Sequence, residues 1–250
     1  MLRVLAKSLV LKEIRPETRE ALNAMCRAKC VSAGQVVLHE DEPTNFIGFV
    51  LSGILRMEKT LTDGRRHIVG LLVAGDMFGR VFDGPLEFSI EAATDVEFCS
   101  FPRAAFEALL TRSPDLERAV LLNIINELDR AREWMIILSN QKVVGRVSGF
   151  LLLMCSRFRG VGHVLLKPGT GGIEVTIPIS RIDLAHLLGT RPESISRALH
   201  SLSDQRYIDI LEPDRILIRD VEALARAADE DELEIVATLK DLLSARRIDR

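Results

Sequence analysis

Side chains that could recognise another molecule are concentrated between residues 180 and 200 of this 250-residue chain. Glu193, Ser196, Arg197 and His200 stand at positions i, i+3, i+4 and i+7, which share one face of a helix. A guanidinium can bond to guanine O6 and N7 together, and a carboxylate can accept a hydrogen bond from cytosine N4. The chemistry of this face therefore suits contact with DNA bases. The alternative is an exposed polar helix face that has no partner.

Two short helices are predicted to position this face. Ser180 suits the cap of the first helix, with Asp183 three residues later as its partner. Gly189 can adopt the left-handed conformation that ends a helix, and Pro192 fits the first turn of the next one. The inward stripe consists of Leu184, Leu187, Leu188, Ile195 and Leu199. A helix, a turn that contains glycine and a second helix make a helix-turn-helix.

A wing is predicted after the second helix. Tyr207–Leu211 and Ile216–Ile218 are rich in apolar residues, and Glu212-Pro213-Asp214-Arg215 between them is typical of a turn. Upstream, an apolar helix is expected over residues 143–158, followed by a segment rich in Gly and Pro. This Gly- and Pro-rich segment is the expected boundary at which a second fold begins, and the DNA-binding domain as a whole is predicted over residues 143–222.

The charge distribution is compatible with a DNA-binding module in this region. The chain has 33 Lys and Arg against 36 Asp and Glu, a net charge of −3. Residues 139–220 nevertheless hold 11 basic and 8 acidic residues, a charge of +3, and the segments on either side carry −3 each. A basic segment between two acidic ones favours nucleic acid as the partner of that segment.

Composition excludes several other classes of protein. With 47% hydrophobic and 28% charged residues, the chain is typical of a globular protein. No apolar run approaches the roughly 18 residues that cross a bilayer, and no secretion signal is visible at the N-terminus. Four cysteines fit a reducing cytoplasm. We expect a cytoplasmic protein without a membrane partner, and no motif predicts an enzyme.

An N-terminal β domain with one helix is predicted over residues 1–112. Residues 16–30 have helical spacing. Further on, short apolar runs alternate with glycines, which is typical of a small β sandwich or barrel, and Asp63-Gly64 predicts a hairpin turn. The runs are Val36–Leu38, Phe46–Leu51, Ile54–Met57, Ile68–Val73 and Val96–Phe101.

A long helix is predicted over residues 113–142, with Pro114 in its first turn. Apolar residues recur along it at alternating intervals of three and four, which form a heptad seam: Leu121, Ile124, Leu128, Ala131, Met135 and Leu138. A helix of about 28 residues is about 42 Å long, more than the width of a small β domain. This length favours a coiled coil between two copies of the chain. Packing of the helix on its own β domain is the alternative.

The remaining predicted regions are residues 143–222, which contain the helix-turn-helix and the wing, and residues 223–250, which form a C-terminal helix. One face of that last helix is apolar and carries Leu233, Val236, Leu239, Leu242 and Leu243. The helix either covers its own domain or contacts a partner.

This order of elements resembles the CRP/FNR family of bacterial transcription regulators over about residues 30–222. The resemblance is carried by Leu51-Ser52-Gly53, Asp63-Gly64-Arg65-Arg66, Gly75-Asp76-Met77-Phe78-Gly79 and Glu193-Ser194-Ile195-Ser196-Arg197. The last motif is similar to the FNR/FixK branch. The family implies an α+β fold with an N-terminal double-stranded β-roll, like a cyclic nucleotide-binding domain, then a long dimerisation helix and a C-terminal winged helix-turn-helix.

The resemblance also implies roles and partners. Glu193, Ser196 and Arg197 would read the bases of TTGAT half-sites arranged as an inverted repeat, TTGAT-N4-ATCAA. The residues expected to contact phosphates are Ser180, Arg181, Thr190 and Ser194. The implied partners are double-stranded DNA, a second copy of the chain and RNA polymerase, and the expected role is activation of genes for low-oxygen or nitrogen-oxide metabolism. The alternative is an effector-binding scaffold or regulatory subunit without a role on DNA.

Two positions predict that cyclic AMP is not the effector. Relatives that bind cyclic AMP carry a Glu for the ribose and an Arg-Ser pair for the phosphate. At the positions that the resemblance aligns with them, this chain has Arg80 and Phe88-Ser89 instead. Without that Arg the cyclic phosphate loses a charge-assisted bond. Arg80 has no acceptor for the ribose hydroxyls. We therefore expect no response to cyclic AMP.

The cysteines admit three interpretations. FNR itself holds an iron–sulfur cluster through three clustered N-terminal cysteines and one central cysteine, and Cys26, Cys30 and Cys99 resemble part of that set. They are either ligands of a divergent cluster or metal site, small buried hydrophobic residues, or a thiol redox switch. Haem is a further alternative, although no histidine stands in a Cys-x-x-Cys-His motif.

Overall fold

A computed structural model describes residues 14–62, 64, 66–82, 84–157, 164–167 and 172–228. The chain divides into two compact units, Met1–Arg132 and Glu133–Arg250. Among the residues described, no helix combines the length and the apolar character that a bilayer span requires.

The first unit is mainly β structure with helices at both ends. Its described elements are α1 (Pro16–Met25), β1 (Arg27–Val31), β2 (Val36–Leu38), β3 (Phe46–Ser52), β4 (Leu55–Thr60), β5 (Arg66–Leu72), β6 (Met77–Phe78), β7 (Ser89–Ala92), β8 (Val96–Pro102), α2 (Arg103–Arg112) and α3 (Pro114–Ser139). The last helix continues into the second unit. The strands form two antiparallel sheets with the orders β1-β8-β3-β6 and β2-β7-β4-β5.

The space between the two sheets is filled by aromatic side chains. The rings of Phe46, Phe78 and Phe98 contact one another, with centroids 5.2 to 6.2 Å apart. Phe78 lies so close to β3 that a Cβ on Gly48 would be 2.2 Å from its ring. Residues from both sheets belong to this core. The predicted β-roll is confirmed, and its interior is packed with hydrophobic side chains.

The N-terminal helix is shorter than predicted. α1 ends at Met25, and the next residues form β1, which pairs with β8 from Arg27↔Ser100 to Val31↔Val96. The prediction of a helix through residue 30 is wrong beyond Met25, because pairing with β8 outweighs the local helical spacing. Gly64 has the predicted positive φ, +80°, between β4 and β5, whereas Asp63 lies outside the described residues.

α3 has one buried face and one exposed face. Leu116, Ala119 and Val120 are buried in the core of the first unit, and Arg130 pairs with Asp76 at 2.9 Å. All six residues of the predicted seam, namely Leu121, Ile124, Leu128, Ala131, Met135 and Leu138, are exposed. The helix therefore packs on the first unit with one face, and no described residue covers the seam on the other.

The second unit has the predicted helix-turn-helix and wing. Beyond the end of α3 it contains α4 (Val143–Arg157), β9 (Val164–Lys167), β10 (Gly172–Thr176), α5 (Arg181–Leu187), α6 (Pro192–Asp204), β11 (Ile208–Glu212), β12 (Arg215–Ile218) and α7 (Val221–Ala227). Its sheet has the order β11-β12-β10-β9. The predicted C-terminal helix overlaps α7 at its start, and its remainder, residues 229–250, lies outside the described residues.

Candidate nucleic-acid interface

α6 exposes the predicted base-contacting side chains. Its buried side is apolar and consists of Ile195, Ala198, Leu199 and Leu202. Glu193, Ser196, Arg197 and His200 are all exposed on the other side. The structure therefore brings the four polar residues together on one surface, with the spacing that the sequence predicted.

The charged groups on this surface are available to a partner. The guanidinium of Arg197 lies 3.4 Å from the Ser194 hydroxyl, and within the described part of the chain it has no carboxylate partner. Glu193 makes no ion pair with any described residue, although Arg197 is four residues away on the same helix. Both groups therefore retain their hydrogen-bonding capacity for an external ligand.

The turn between α5 and α6 determines where the exposed helix begins. Gly189 has a φ of +59°, which a residue without a Cβ adopts at little cost. The Thr190 N–H donates to the Ala185 carbonyl at 2.9 Å, and Pro192 is the first residue of α6. The predicted turn chemistry at Gly189 and Pro192 is confirmed.

Arg146 on α4 donates hydrogen bonds to the same turn. Its Nη1 donates to the carbonyls of Leu188 and Gly189 at 2.9 and 3.3 Å, and its Nε donates to the Asn140 carbonyl at 2.8 Å. A cation at the end of α5 is also favourable to the helix dipole. Sequence reasoning missed this residue because its partners in the turn lie 42 and 43 positions away, beyond any local pattern.

Ser180 caps α5 as predicted. Its hydroxyl accepts a hydrogen bond from the Asp183 N–H at 3.1 Å and donates to the Asp183 carboxylate at 2.8 Å. The hydroxyl is therefore engaged in the helix cap, and a phosphate would have to share it.

Arg181, which was expected to contact a phosphate, makes a contact inside the domain. Its guanidinium donates to the Pro213 carbonyl in the turn of the wing and is half-buried. Burial lowers the pKa of this guanidinium, while the nearby Asp214 carboxylate acts in the opposite direction. Arg181 joins the first helix to the wing, so a phosphate would have to compete with the Pro213 carbonyl for its guanidinium. The sequence holds no signal for this contact because the acceptor is a backbone carbonyl.

Arg191 is a basic residue that sequence reasoning missed. It is the exposed N-cap residue of α6, and its side chain makes no hydrogen bond or ion pair with any described residue. Thr190 and Ser194, both predicted to contact phosphates, lie half-buried beside it. The N-terminus of a helix favours anions, so these three residues could bind a phosphate. The sequence feature that could have identified Arg191 is its position directly before the proline of the turn.

The basic residues of the wing are already paired. Arg215 donates to one oxygen of the buried Glu174 carboxylate at 2.7 and 2.9 Å, and this contact raises the pKa of Arg215. Arg219 contacts Asp209 at 2.6 Å. These pairs hold the wing together and compete with any use of the two guanidiniums on DNA.

The residues at the expected nucleotide positions of the β-roll make internal contacts. Arg80 donates to the Pro85 carbonyl at 3.0 Å, and the Ser89 hydroxyl accepts a hydrogen bond from the Glu40 N–H at 3.0 Å. Phe88 is exposed and has no charge to offer a phosphate. This donor set does not fit a cyclic nucleotide.

Only two of the three cysteines predicted as ligands lie together. Cys26 and Cys99 are buried with their sulfurs 2.8 Å apart, whereas Cys30 is exposed on β1. Burial and the contact with Cys26 raise the pKa of the Cys99 thiol to about 12, which disfavours the thiolate that a metal binds. Within the described ranges no three His, Cys, Asp or Glu side chains form a metal site. The set Cys26, Cys30 and Cys99 therefore does not fit an iron–sulfur cluster.

Comparison with known proteins agrees with this architecture. The sequence model of the cyclic nucleotide-binding domain matches residues 28–113, and that of the Crp-like helix-turn-helix domain matches residues 145–227. Nitrogen fixation regulation protein FixK of Bradyrhizobium diazoefficiens is 34% identical over 198 residues, which cover 78% of this chain and 81% of that protein. Transcriptional activator protein FnrL of Cereibacter sphaeroides is 29% identical over 199 residues, covering 80% and 79%.

The solved structure of FixK2 from Bradyrhizobium japonicum is similar in fold, with a TM-score of 0.70 and 28% identity over 81% of this chain and 96% of that one. Both domain models match this chain, and the similarity to FixK extends over most of it. The chain belongs to the CRP/FNR family of DNA-binding transcription regulators, in its FNR/FixK-like branch.

Proposed function

We propose that this protein is a homodimeric transcription activator that recognises an inverted repeat similar to TTGAT-N4-ATCAA. The observation that carries the proposal is the exposed surface of α6, where Glu193, Ser196 and Arg197 stand together and the two charged groups have no ion-pair partner among the described residues. In the major groove, Arg197 would bond to guanine and Glu193 would accept from cytosine N4. Ser196 would supply a hydroxyl to either.

The dimer is supported by the exposed seam of α3. Leu121, Ile124, Leu128 and Met135 are each at least half exposed to solvent, and burying an apolar side chain of this size contributes about 1.5–3 kcal/mol. A two-fold dimer would present its two α6 helices about 34 Å apart, one turn of DNA, which requires an inverted repeat. The seam has no buried charge to oppose pairing, so we propose a dimer that persists without an effector.

Phosphate contacts would fix the register of α6 on the duplex. Ser180, Thr190 and Ser194 remain candidates for this role, and the exposed Arg191 takes the place of Arg181. All of these residues lie at the N-terminal ends of α5 and α6, where backbone N–H groups also favour an anion.

We propose further that cyclic AMP is not the effector of this protein. Arg80 donates to the Pro85 carbonyl within its own loop, and Phe88 is exposed and uncharged. A nucleotide at these positions would find no carboxylate for its ribose and no guanidinium for its phosphate.

The similarity of the recognition motif to the FNR/FixK branch supports control of genes for low-oxygen or nitrogen-oxide metabolism. The names of the relatives, transcriptional activator FnrL and nitrogen fixation regulation protein FixK, support activation and hence contact with RNA polymerase.

A mobility shift tests the proposal directly. The full chain is titrated into a duplex that contains TTGAT-N4-ATCAA and into a second duplex with the same base composition in scrambled order. We expect a retarded complex on the first duplex at concentrations that leave the second free. Equal binding to both would refute the proposed recognition. Sedimentation of the chain without DNA should show a dimer at micromolar concentration, and a monomer there would refute the persistent dimer.

A further inference from the structure

A groove in the first unit extends the seam beyond α3. It has a volume of about 370 Å³ and lies between Phe82, Leu110 on α2, and Val120, Leu121 and Ile124 on α3. Leu121 and Ile124 also belong to the proposed dimer seam. The groove is therefore continuous with the surface that a second copy of the chain would cover.

The wall formed by Phe82 is held in an unusual conformation. Phe82 has a φ of +66°, which a bulky residue rarely adopts, and 61% of its surface is exposed. Its N–H donates to the Glu107 carboxylate at 2.7 Å, and Arg103 holds that carboxylate at 3.0 Å. Such a conformation persists only where neighbouring groups enforce it, and it often marks a functional contact. At Phe82 this conformation leaves the aromatic ring exposed to solvent at the edge of the groove.

The heptad pattern identifies what would fill the groove. With Leu121 at position a and Ile124 at position d, Val120 occupies position g and Ile125 position e. In a parallel coiled coil, position g of one helix lies beside position e of the other helix five residues later. The partner's Ile125 would therefore lie against Val120. Ile125 is 44% exposed in the single chain, and it is not part of the a/d seam.

The next heptad supports the same register by charge. Glu127 occupies position g and Arg132 position e, so Glu127 would lie beside Arg132 of the partner subunit. Opposite charges at these positions are a common device that fixes partner and orientation in coiled coils. Within one chain Arg132 contacts Asp129 at 2.9 Å, but both side chains are more than half exposed, and such a pair is weak.

We infer that Phe82, Leu110 and Val120 form a receptor for Ile125 of the partner subunit, so that each β domain clamps the helix of the other copy. This inference rests on the proposed dimer and adds a second contact outside its seam. The contact would occur twice in the assembly because a two-fold interface is self-complementary.

A double-mutant cycle on the dissociation constant of the dimer tests the inference. The variants of the full chain are Phe82→Ala, Ile125→Ala and the double variant, measured by sedimentation over a dilution series. Leu122→Ala is the matched control, since Leu122 is exposed at 40% but occupies position b, away from the partner. Truncating a central interface anchor typically costs a factor of about ten in affinity.

Because the contact is lost twice in each dimer, we expect Phe82→Ala and Ile125→Ala each to weaken the dimer by about a hundredfold. The double variant should be no weaker than about the worse single variant, and Leu122→Ala should match the wild type. Unchanged dimerisation in both single variants, or fully additive losses, would overturn the receptor and leave the seam intact. A wild-type chain that sediments as a monomer would instead overturn the proposed dimer itself.

Discussion

The guanidinium of Arg146 lies 2.9 Å from the backbone carbonyl of Leu188. This bond joins α4 to the turn from which α6 starts. The same side chain reaches the Gly189 and Asn140 carbonyls. One half-buried side chain therefore donates to three backbone carbonyls, two of which belong to the turn from which α6 starts.

Replacing Arg146 by Met should destabilise the second unit. Met retains an unbranched apolar stem but leaves the acceptors unpaired, and a hydrogen bond from a charged group contributes about 1.5–3 kcal/mol. We expect the free energy of unfolding in urea to fall by about that amount. Arg226→Met is the control, because Arg226 is 63% exposed and only 3.9 Å from Glu222. Equal stability of the two variants would show that the Arg146 contacts contribute little.

Replacing Arg197 by Ala should weaken binding to the inverted repeat by about 1–3 kcal/mol and relax the preference for guanine at its position. The reason is that the Arg197 guanidinium is exposed on the surface of α6 that we propose reads the bases, and no described carboxylate pairs with it. Fluorescence anisotropy with the repeat and with duplexes substituted at that guanine measures both effects. If the variant loses the same affinity for random DNA, Arg197 contacts phosphate only.

Replacing Arg191 by Ala should have a different signature. A phosphate contact is independent of sequence, so affinity for the repeat and for random DNA should fall by a similar factor. The slope of log K against log salt concentration should also become shallower by about one. Arg181→Ala is the informative comparison, since that guanidinium is bonded within the wing. A salt slope that changes for Arg181→Ala and not for Arg191→Ala would reverse our assignment.

Asp115 links the start of α3 to the segment before α1 and should make stability depend on acid pH. Its carboxylate lies 2.8 Å from the Arg15 N–H and 3.0 Å from the Arg15 guanidinium. Burial acts to raise the pKa of Asp115, but the bonds from Arg15 and from the Thr18 hydroxyl outweigh it and hold that pKa well below its usual value.

The pKa of Asp115 is lower in the folded chain than in the unfolded chain, where it is about 3.9. The ionised carboxylate therefore stabilises the fold fully above that pH, and this contribution to the free energy of unfolding is lost as the pH falls below it. Wild type should therefore exceed Asp115→Asn in free energy of unfolding at pH 7, and the gap should narrow at pH 3. A gap of constant size at both pH values would contradict this linkage.

Local turn chemistry explains why the sequence predicted the DNA-binding unit well. Gly189 and Pro192 restrict the backbone wherever they stand, and the spacing of Ile195 and Leu199 defines the buried side of α6. β1 could not be predicted in the same way, since its strand conformation depends on β8, about 70 residues away. The same reason accounts for Arg181 and for Cys30, whose surroundings are set by the wing turn and by the β1–β8 pairing.

The most direct test of the account is the affinity and stoichiometry of the chain on the two-site duplex at 0.15 M salt, about physiological. Anisotropy titrations compare TTGAT-N4-ATCAA with a duplex of equal length in which one half-site is scrambled. We predict two chains bound per intact duplex, with an affinity at least about a thousandfold above that for random DNA, and a marked loss when one half-site is scrambled. Equal affinity for intact, half-scrambled and random duplexes would contradict the claim that α6 reads an inverted repeat as part of a dimer.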